Sequence, residues 1–464
     1  MRLDALFRPG SIAVVGASEK PTIGRRLIVS LDRLGFAGRV FPINPNYASV
    51  LGRECYPGFA ELPEAPDVAV FCVGNRLILD AFAAAAERGI RAAVIYDGGF
   101  AERGAEGRAL QQKIADICRE AGIALCGPNC MGILSPAERV STYLQEIRDP
   151  EQLAGTVGIV SQSGGFCLSL LTDVSRFGFS HIVSSGNEPV LTAADFLEYL
   201  IDDPNTAAIG CFIETVREPA RFAAALDRAA MRDKPVAVLK VGRTERSRRA
   251  VLSHTAGEAG DPAAFSGMLR AHRAIEVADR AEFTEVLAAC QGTRRPVGRR
   301  LGVITSSGGV AELMLDIADR DGLQLPPLSV ALKADLDRLC GYITGDGNPL
   351  DAWGNGTFAA NLDHSLKALQ QSPDHDAVVF TRDNTAGQPM DQPETALNYL
   401  AQFARAAAAS DKPHYLLHTR AGAIDPAHVA CLRQGGVAIV EGIREGLGAI
   451  DKLARWGDWK RNAV

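Results

Sequence analysis

The chain has 464 residues, of which 47% are hydrophobic and 22% charged, with a net charge of −6 at neutral pH. This length accommodates about two to four domains, and the acidic balance offers no general electrostatic case for nucleic acid or an anionic membrane as partner. No stretch approaches the ~18 apolar residues of a membrane span, and Met1–Gly10 lacks the apolar core of a secretory leader. A cytoplasmic protein is expected. The ten cysteines are scattered singly, and nothing near Cys126 and Cys130 completes a metal set. Buried reduced thiols and no bound metal are therefore expected.

From the N-terminus to about residue 150, short apolar runs alternate with helical patterns. The runs are Ser11–Val15, Val40–Ile43, Val68–Val73, Ala92–Ile95 and Ala124–Cys126. Between them, Ile23, Leu27, Ile28, Leu31 and Leu34 fall on one helical face, and Leu77–Arg88 and Gly107–Ala121 read as further helices. Such alternation predicts an α/β domain with a parallel sheet covered on both faces. Gly16 closes the first strand, where the following helix start can meet a ligand phosphate. The second strand ends in Asn44-Pro45-Asn46, whereas an NAD site calls for an acidic residue there to bind the ribose hydroxyls. A nucleotide-like ligand other than NAD is favoured. Gly98-Gly99-Phe100 and Gly127–Gly132 follow the fourth and fifth strands, at the sheet edge where ligands of such folds bind.

Residues 151–296 read as a second α/β domain. Strand Val157–Val160 leads into Ser161-Gln162-Ser163-Gly164-Gly165 and a helix at Phe166–Leu171, a ready seat for a phosphoryl group. Ser163 equally suits a plain helix N-cap. Strand Ala208–Ile213 ends in Glu214, placed to orient a histidine. Helix Pro219–Met231 and strand Val236–Leu239 then deliver a basic stretch, read as a loop, with His254 near its centre. An imidazole there is a candidate nucleophile, and the arginines can hold an anion by forked hydrogen bonds.

After a linker at Gln291–Arg300, residues 297–464 start a third domain with strand Leu301–Thr305. The turn Ser306-Ser307-Gly308-Gly309 and helix Val310–Ala318 follow. Gly302–Gly309 nearly repeats Gly158–Gly165. The repetition predicts two related domains, whose helix starts could face one phosphate from opposite sides. Strands at Ala377–Phe380, Tyr415–Leu417 and Val437–Ile439 complete a sheet, and Glu445–Trp456 reads as a closing helix weakened by Gly446 and Gly448.

Taken in order, Val14-Val-Gly-Ala-Ser18, Gly98-Gly-Phe-Ala-Glu102, Gly127-Pro-Asn-Cys-Met-Gly132, Ser161-Gln-Ser-Gly164, Leu239-Lys-Val-Gly-Arg-Thr244 and Ser253-His-Thr255 resemble the α subunit of the nucleoside-diphosphate-forming acyl-CoA synthetases, in the succinyl-CoA synthetase superfamily. The match runs nearly end to end. The resemblance implies a Rossmann-like CoA-binding domain followed by two flavodoxin-like domains. It implies a ligase that interconverts a carboxylate, CoA and NTP with acyl-CoA, NDP and phosphate. CoA would lie against Gly16, Ala17, Ser18, Asn44, Pro45, Val73, Gly74, Gly98, Gly99, Phe100 and Asn129. His254 would carry the phosphoryl group with support from Glu214, and the turns at Ser161–Gly165 and Ser306–Gly309 would receive it.

ATP or ADP with Mg would belong to an ATP-grasp β subunit in an α2β2 assembly, since no stretch after residue 297 reads as an ATP-grasp module. Thr255-Ala-Gly-Glu-Ala-Gly260 departs from the family's usual Thr-Gly-Ser and brings Glu258 near the phosphate path. Asn348–Trp353 resembles the aryl- or larger-acyl branch more than the acetate one. Two other readings compete: an NAD(P)-dependent oxidoreductase, against which Asn44 weighs, and a non-catalytic CoA-binding subunit, against which His254 and Glu214 weigh.

Overall fold

The computed structural model describes residues 3–172, 176–255, 260–353, 357–383, 386 and 393–462. The first sheet is built from β1 (Ser11–Val15), β2 (Arg39–Ile43), β3 (Val68–Phe71), β4 (Ala92–Ile95) and β5 (Ala124–Cys126), all parallel, in the order β2-β1-β3-β4-β5. Strands β1, β3 and β4 are buried along their whole length, as continuous apolar runs in a doubly covered parallel sheet must be. The helix Ile23–Leu34 starts at Thr22, whose side chain accepts from Arg25 N, and stops at Gly35 with φ +68°. Its Leu27, Ile28, Leu31 and Leu34 are buried on one stripe. The strand order reverses between β1 and β3. A reversal opens a crevice at the carboxyl ends of the two strands, here between Gly16 and Cys72–Gly74.

The second sheet comprises β6 (Gly132–Ser135), β7 (Val140–Ser141), β8 (Ala154–Ser161), β9 (Phe179–Ser184), β10 (Ala208–Ile213), β11 (Val236–Lys240) and β12 (Ile275–Val277), in the order β12-β11-β10-β8-β9-β6-β7. Strands β9, β8, β10 and β11 run parallel, while β6 pairs antiparallel with β9 and β7 antiparallel with β6. The two antiparallel strands come from upstream of residue 150, so the chain leaving the first sheet at Cys126 enters the second directly. The reversal here lies between β8 and β10, whose carboxyl ends carry Ser161 and Glu214. Both sheets belong to one compact unit, residues 1–174 and 178–276.

The stretch carrying His254 differs from its expected loop form. Glu245–Thr255 is a helix. Thr244 and Ser247 cap it reciprocally: Ser247 N donates to Thr244 Oγ1 at 3.1 Å and Thr244 N to Ser247 Oγ at 2.9 Å. The His254 side chain lies outside the described residues, as does Glu258, so the role expected of His254 rests on sequence.

The second unit, residues 175–177 and 277–464, holds the third sheet. Its strands are β13 (Leu301–Thr305), β14 (Leu350–Asp351), β15 (Ala377–Thr381), β16 (His414–His418) and β17 (Ala438–Glu441), parallel in the order β14-β13-β15-β16-β17. The closing helix runs Ile443–Asn462 despite Gly446. A Cβ at Gly446 would stand 2.6 Å from Leu417 Cδ1, so the glycine lets this helix sit close against β16. Its own Leu447, Ile450 and Leu453 are fully buried.

Phe7 ties the chain start to the second sheet. Its fully buried ring stacks on Tyr199 with centroids 3.9 Å apart and meets His181 edge-on at 4.9 Å. Truncating such a ring leaves a cavity costing about 3–5 kcal/mol. Phe7→Ala should therefore lower the chemical-denaturation midpoint of the first unit, an outcome checked by urea titration followed by circular dichroism.

Candidate functional site

The residues expected to bind CoA line the crevice of the first sheet. Gly16 has φ +86°, and a Cβ there would lie 2.7 Å from Cys72 O. Only glycine lets the ends of β1 and β3 close this tightly. Asn44 does not point freely at a ligand: its Nδ2 donates to Ala17 O at 2.7 Å and its Oδ1 accepts from Asn46 N at 3.0 Å. It braces the glycine turn. Ser18 Oγ lies 3.2 Å from Tyr47 Oη and accepts from Lys20 N. Pro45 and Gly74 are exposed and Val73 half-buried at the same edge. Asn75 Nδ2 donates to Gly98 O at 2.8 Å, and Gly99 has φ +97°. The Phe100 ring is fully buried in the core, so that residue can offer a ligand only its backbone.

This edge is stitched to the edge of the second sheet. Asn129 (φ +58°) donates through Nδ2 to Asn187 Oδ1 at 3.2 Å. Asn187 Nδ2 donates to Glu102 Oε2 at 2.8 Å and Gln111 Oε1 at 3.0 Å. Glu102 Oε1 in turn accepts from Gly99 N and Phe100 N at 2.5 and 3.0 Å. Burial raises the Glu102 pKa, but the hydrogen bonds from Asn187 and the two amides outweigh it and leave the carboxyl below its ordinary value. Backbone bonds reinforce the seam: Gly127 N to Ser185 O at 3.1 Å and Asn187 N to Pro128 O at 2.9 Å. A Cβ at Gly186 would collide with Pro128 O at 2.2 Å.

At the reversal of the second sheet, Ser163 caps the helix Gly164–Leu170, accepting from Phe166 N at 3.3 Å. Ser161 Oγ donates to Ser163 O and accepts from Ser163 N. Gln162 accepts at Oε1 from the amides of Glu214 and Thr215 at 2.7 and 2.8 Å, and its Nε2 donates to Thr215 O at 2.7 Å. Its amide is fully engaged in fixing the tip of β10, where Glu214 is buried. Gly164 packs against Met131, while a Cβ at Gly165 would meet open space. In the second unit Ser307 repeats the capping role of Ser163, accepting from Val310 N at 3.4 Å and donating its own N–H to Thr305 Oγ1. Ser306 is exposed, Gly308 faces Asp351, and Gly309 is open.

Three residues at these edges carry no role in the sequence reading: Asn187, Glu188 and Lys240. Glu188 holds a left-handed backbone, φ +56°, uncommon for a side chain of its kind. It is buried and accepts from Ser185 Oγ at 2.6 Å. Burial pushes its carboxyl up to about 7, against the opposing pull of Ser185, Gln162 and Arg217. Lys240 ends β11 and donates to Glu214 O at 2.8 Å. Elsewhere, His181 lies between Ser135 Oγ (2.8 Å) and Asp203 Oδ2 (3.3 Å), the order of a nucleophile–base–acid relay. Ser135 is fully buried, so this line is structural. All ten cysteines are free, and no cluster of potential metal ligands occurs among the described residues. No helix among them is long and apolar enough to cross a membrane.

Residues 10–136 match the CoA binding domain family and residues 154–290 the succinyl-CoA ligase like flavodoxin domain family. The α subunit of acetate–CoA ligase (ADP-forming) II from Pyrococcus furiosus is 31% identical over 81% of this chain and 81% of its own length. The chain belongs to the α-subunit family of the ADP-forming acetate–CoA ligases. Family members include longer proteins: a trans-feruloyl-CoA synthase from an unknown prokaryotic organism is 36% identical over 72% of this chain and 49% of that protein. The chain thus spans about half the length of several curated relatives. The dinucleotide forming acetyl-coenzyme A synthetase 1 of Ca. Korarchaeum cryptofilum, solved with phosphate and ADP, superposes with a TM-score of 0.86 at 27% identity, covering 100% of this chain and 99% of that one.

The position of Glu188 makes stability depend on pH. A carboxyl whose folded pKa lies near 7 and whose unfolded pKa lies near its ordinary value of 4.5 binds more protons when folded. Its contribution is fully present below the unfolded value and is lost as pH rises toward 7. Glu188→Gln should therefore gain in unfolding free energy relative to wild type as pH is raised from 5 to 8, by a few kcal/mol at about 1.4 kcal/mol per pH unit, read as a widening difference in melting temperature. Parallel melting curves across that range would contradict this environment for Glu188.

Proposed function

We propose that the chain is the α subunit of an NDP-forming acyl-CoA synthetase, an acid–thiol ligase converting a carboxylate, CoA and NTP to acyl-CoA, NDP and phosphate. The observation carrying this reading is the seam at which Gly98–Phe100 and Asn129 of the CoA-binding family domain meet Ser184–Glu188, close to the Gln162–Glu214 clasp of the flavodoxin-like domain. A group held in the first crevice and chemistry at the second reversal are thereby brought within one unit. The tight closure at Gly16, where a side chain would fill the cradle, suits a close backbone approach to a phosphate-bearing ligand such as CoA. CoA supplies the thiol that takes the acyl group.

His254 is the proposed phosphoryl carrier, a covalent station that divides thioester synthesis into two easier transfers. Glu214 is the proposed support for its ring, with its backbone held by Gln162 and Lys240. The Ser161–Gly165 and Ser306–Gly309 turns are the proposed phosphate seats, offering backbone N–H groups at helix starts. Relatives named as α subunits imply a partner subunit; the proposed partner is an ATP-grasp β subunit, which would handle ATP or ADP with Mg in an α2β2 assembly. The free cysteines suit a reducing, cytoplasmic compartment.

Labelling with γ-32P-ATP in the presence of the β partner tests the carrier. Wild type should acquire acid-labile, base-stable phosphate and His254→Ala should lose it; retention of that label in the variant removes His254 from the role. Ligand binding tests the first domain separately. CoA at about 100 times its Kd should stabilise the chain by roughly 2.7 kcal/mol, read as a rise in melting temperature, while NAD should give no shift. The reverse pattern would favour the oxidoreductase reading.

A further inference from the structure

A cavity of about 450 Å³ opens in the first unit beside the tip of β10. It is lined by Val216, Ala220 and Ala223 on one side and by Ala264, Phe265 and Met268 on the other, with Lys240 at its base. The walls are aliphatic and aromatic. The other charged lining residue, Asp261, is engaged as the cap of helix Pro262–Ala271, where its Oδ1 accepts from Ala263 N and Ala264 N. Lys240 is the base's only described cation. It is 4% exposed, and its Nζ sits 5.7 Å from the centroid of the Phe265 ring.

An ammonium group has three donors. Those of Lys240 reach two main-chain carbonyls, Glu214 O at 2.8 Å and Val241 O, which leaves one for a ligand. Carbonyls are neutral acceptors; the charge that favours the ammonium form is the Glu214 carboxylate on the neighbouring strand end, opposed by Arg243. An apolar cleft with a single cation at its base suits an amphipathic anion, with its charged end at the amine and its tail along the walls. The volume falls in the range of about 300–1,000 Å³ typical of pockets that enclose sizeable organic ligands; a two-carbon acid would leave most of it unfilled. Because Lys240 bonds to Glu214 itself, the base of the cleft and the proposed support of the phosphohistidine are neighbouring strand ends. Burial lowers the amine pKa to about 8, against the opposing pull of the Glu214 carboxylate.

We infer that this cleft is the acid-substrate pocket, taking a carboxylate with a bulky, aryl-sized apolar tail, with Lys240 Nζ binding the carboxylate and the Ala220–Ala264 walls selecting the tail. The inference rests on the synthetase reading and names its substrate class.

The test is direct binding to the full chain by isothermal titration, without nucleotide or partner. The probes are 3-phenylpropanoate, its neutral amide and acetate. Wild type should bind 3-phenylpropanoate at least tenfold more tightly than either of the others. Ala264→Phe, at an exposed position where the larger side chain can be accommodated, should fill the cleft and weaken 3-phenylpropanoate tenfold or more while leaving CoA binding unchanged. Lys240→Met should abolish the preference for acid over amide. If wild type binds CoA but shows no preference for 3-phenylpropanoate, or Ala264→Phe leaves that preference intact, the pocket assignment is overturned and the synthetase reading stands. If CoA fails to bind as well, the synthetase reading itself fails.

Discussion

The side-chain amide of Asn187 is the contact on which the first unit's functional geometry depends. It bridges Glu102 and Gln111 on one sheet edge, accepts from Asn129, and sits on a loop whose Gly186 leaves room for nothing larger against Pro128. Two doubly wound sheets each place their ligand crevice at a strand-order reversal. Separately they would be two binding domains. Joined edge to edge, they make one unit in which a ligand on the first sheet can reach chemistry on the second. The hydrogen bonds of this seam are part-buried and Asn187 itself is buried, so leaving its amide unpaired would incur a desolvation penalty of about 1–3 kcal/mol. That penalty favours one relative placement of the two edges over its alternatives.

The second reversal is organised by a similar device. The Gln162 side chain holds the amides of Glu214 and Thr215, and Lys240 holds the Glu214 carbonyl from the neighbouring strand. Glu214 is thus presented on a tip fixed from two sides. A carboxylate expected to steady a reactive ring requires such second-layer support, because the precision of a site is set by what holds its residues. The Gln162 side chain, with all of these bonds, is part of the scaffold, and the turn's open face is left to Gly165.

Much of this was legible in the sequence. Continuous apolar runs such as Val68–Phe71 and Ala92–Ile95 can hardly be anything but buried parallel strands when helical patterns separate them. Glu214 stood out because a carboxylate ending an apolar strand needs a reason. The helical form of the His254 stretch is hidden in the sequence because arginines and serines suit a loop equally well; the signal that distinguishes them is the reciprocal Thr244–Ser247 cap. Asn187 and Glu188 are not recognisable as site residues, and Lys240, although inside the Leu239–Thr244 motif, carries no legible role there. Their significance comes from what lies across a sheet edge or below a strand end, and neither periodicity nor composition encodes those neighbours. In the sequence Gly446 reads as a helix weakness, yet its lack of a side chain is what permits close packing on Leu417.

The central claim is that the first crevice delivers its ligand to the joined edge. The most direct measurement is a crystal structure of the full chain with CoA bound. The account predicts the nucleotide end in the crevice between Gly16 and Gly74 and the thiol at the seam formed by Gly98–Phe100, Asn129 and Ser184–Glu188. CoA bound outside that crevice, or a thiol directed away from the second sheet, would contradict it.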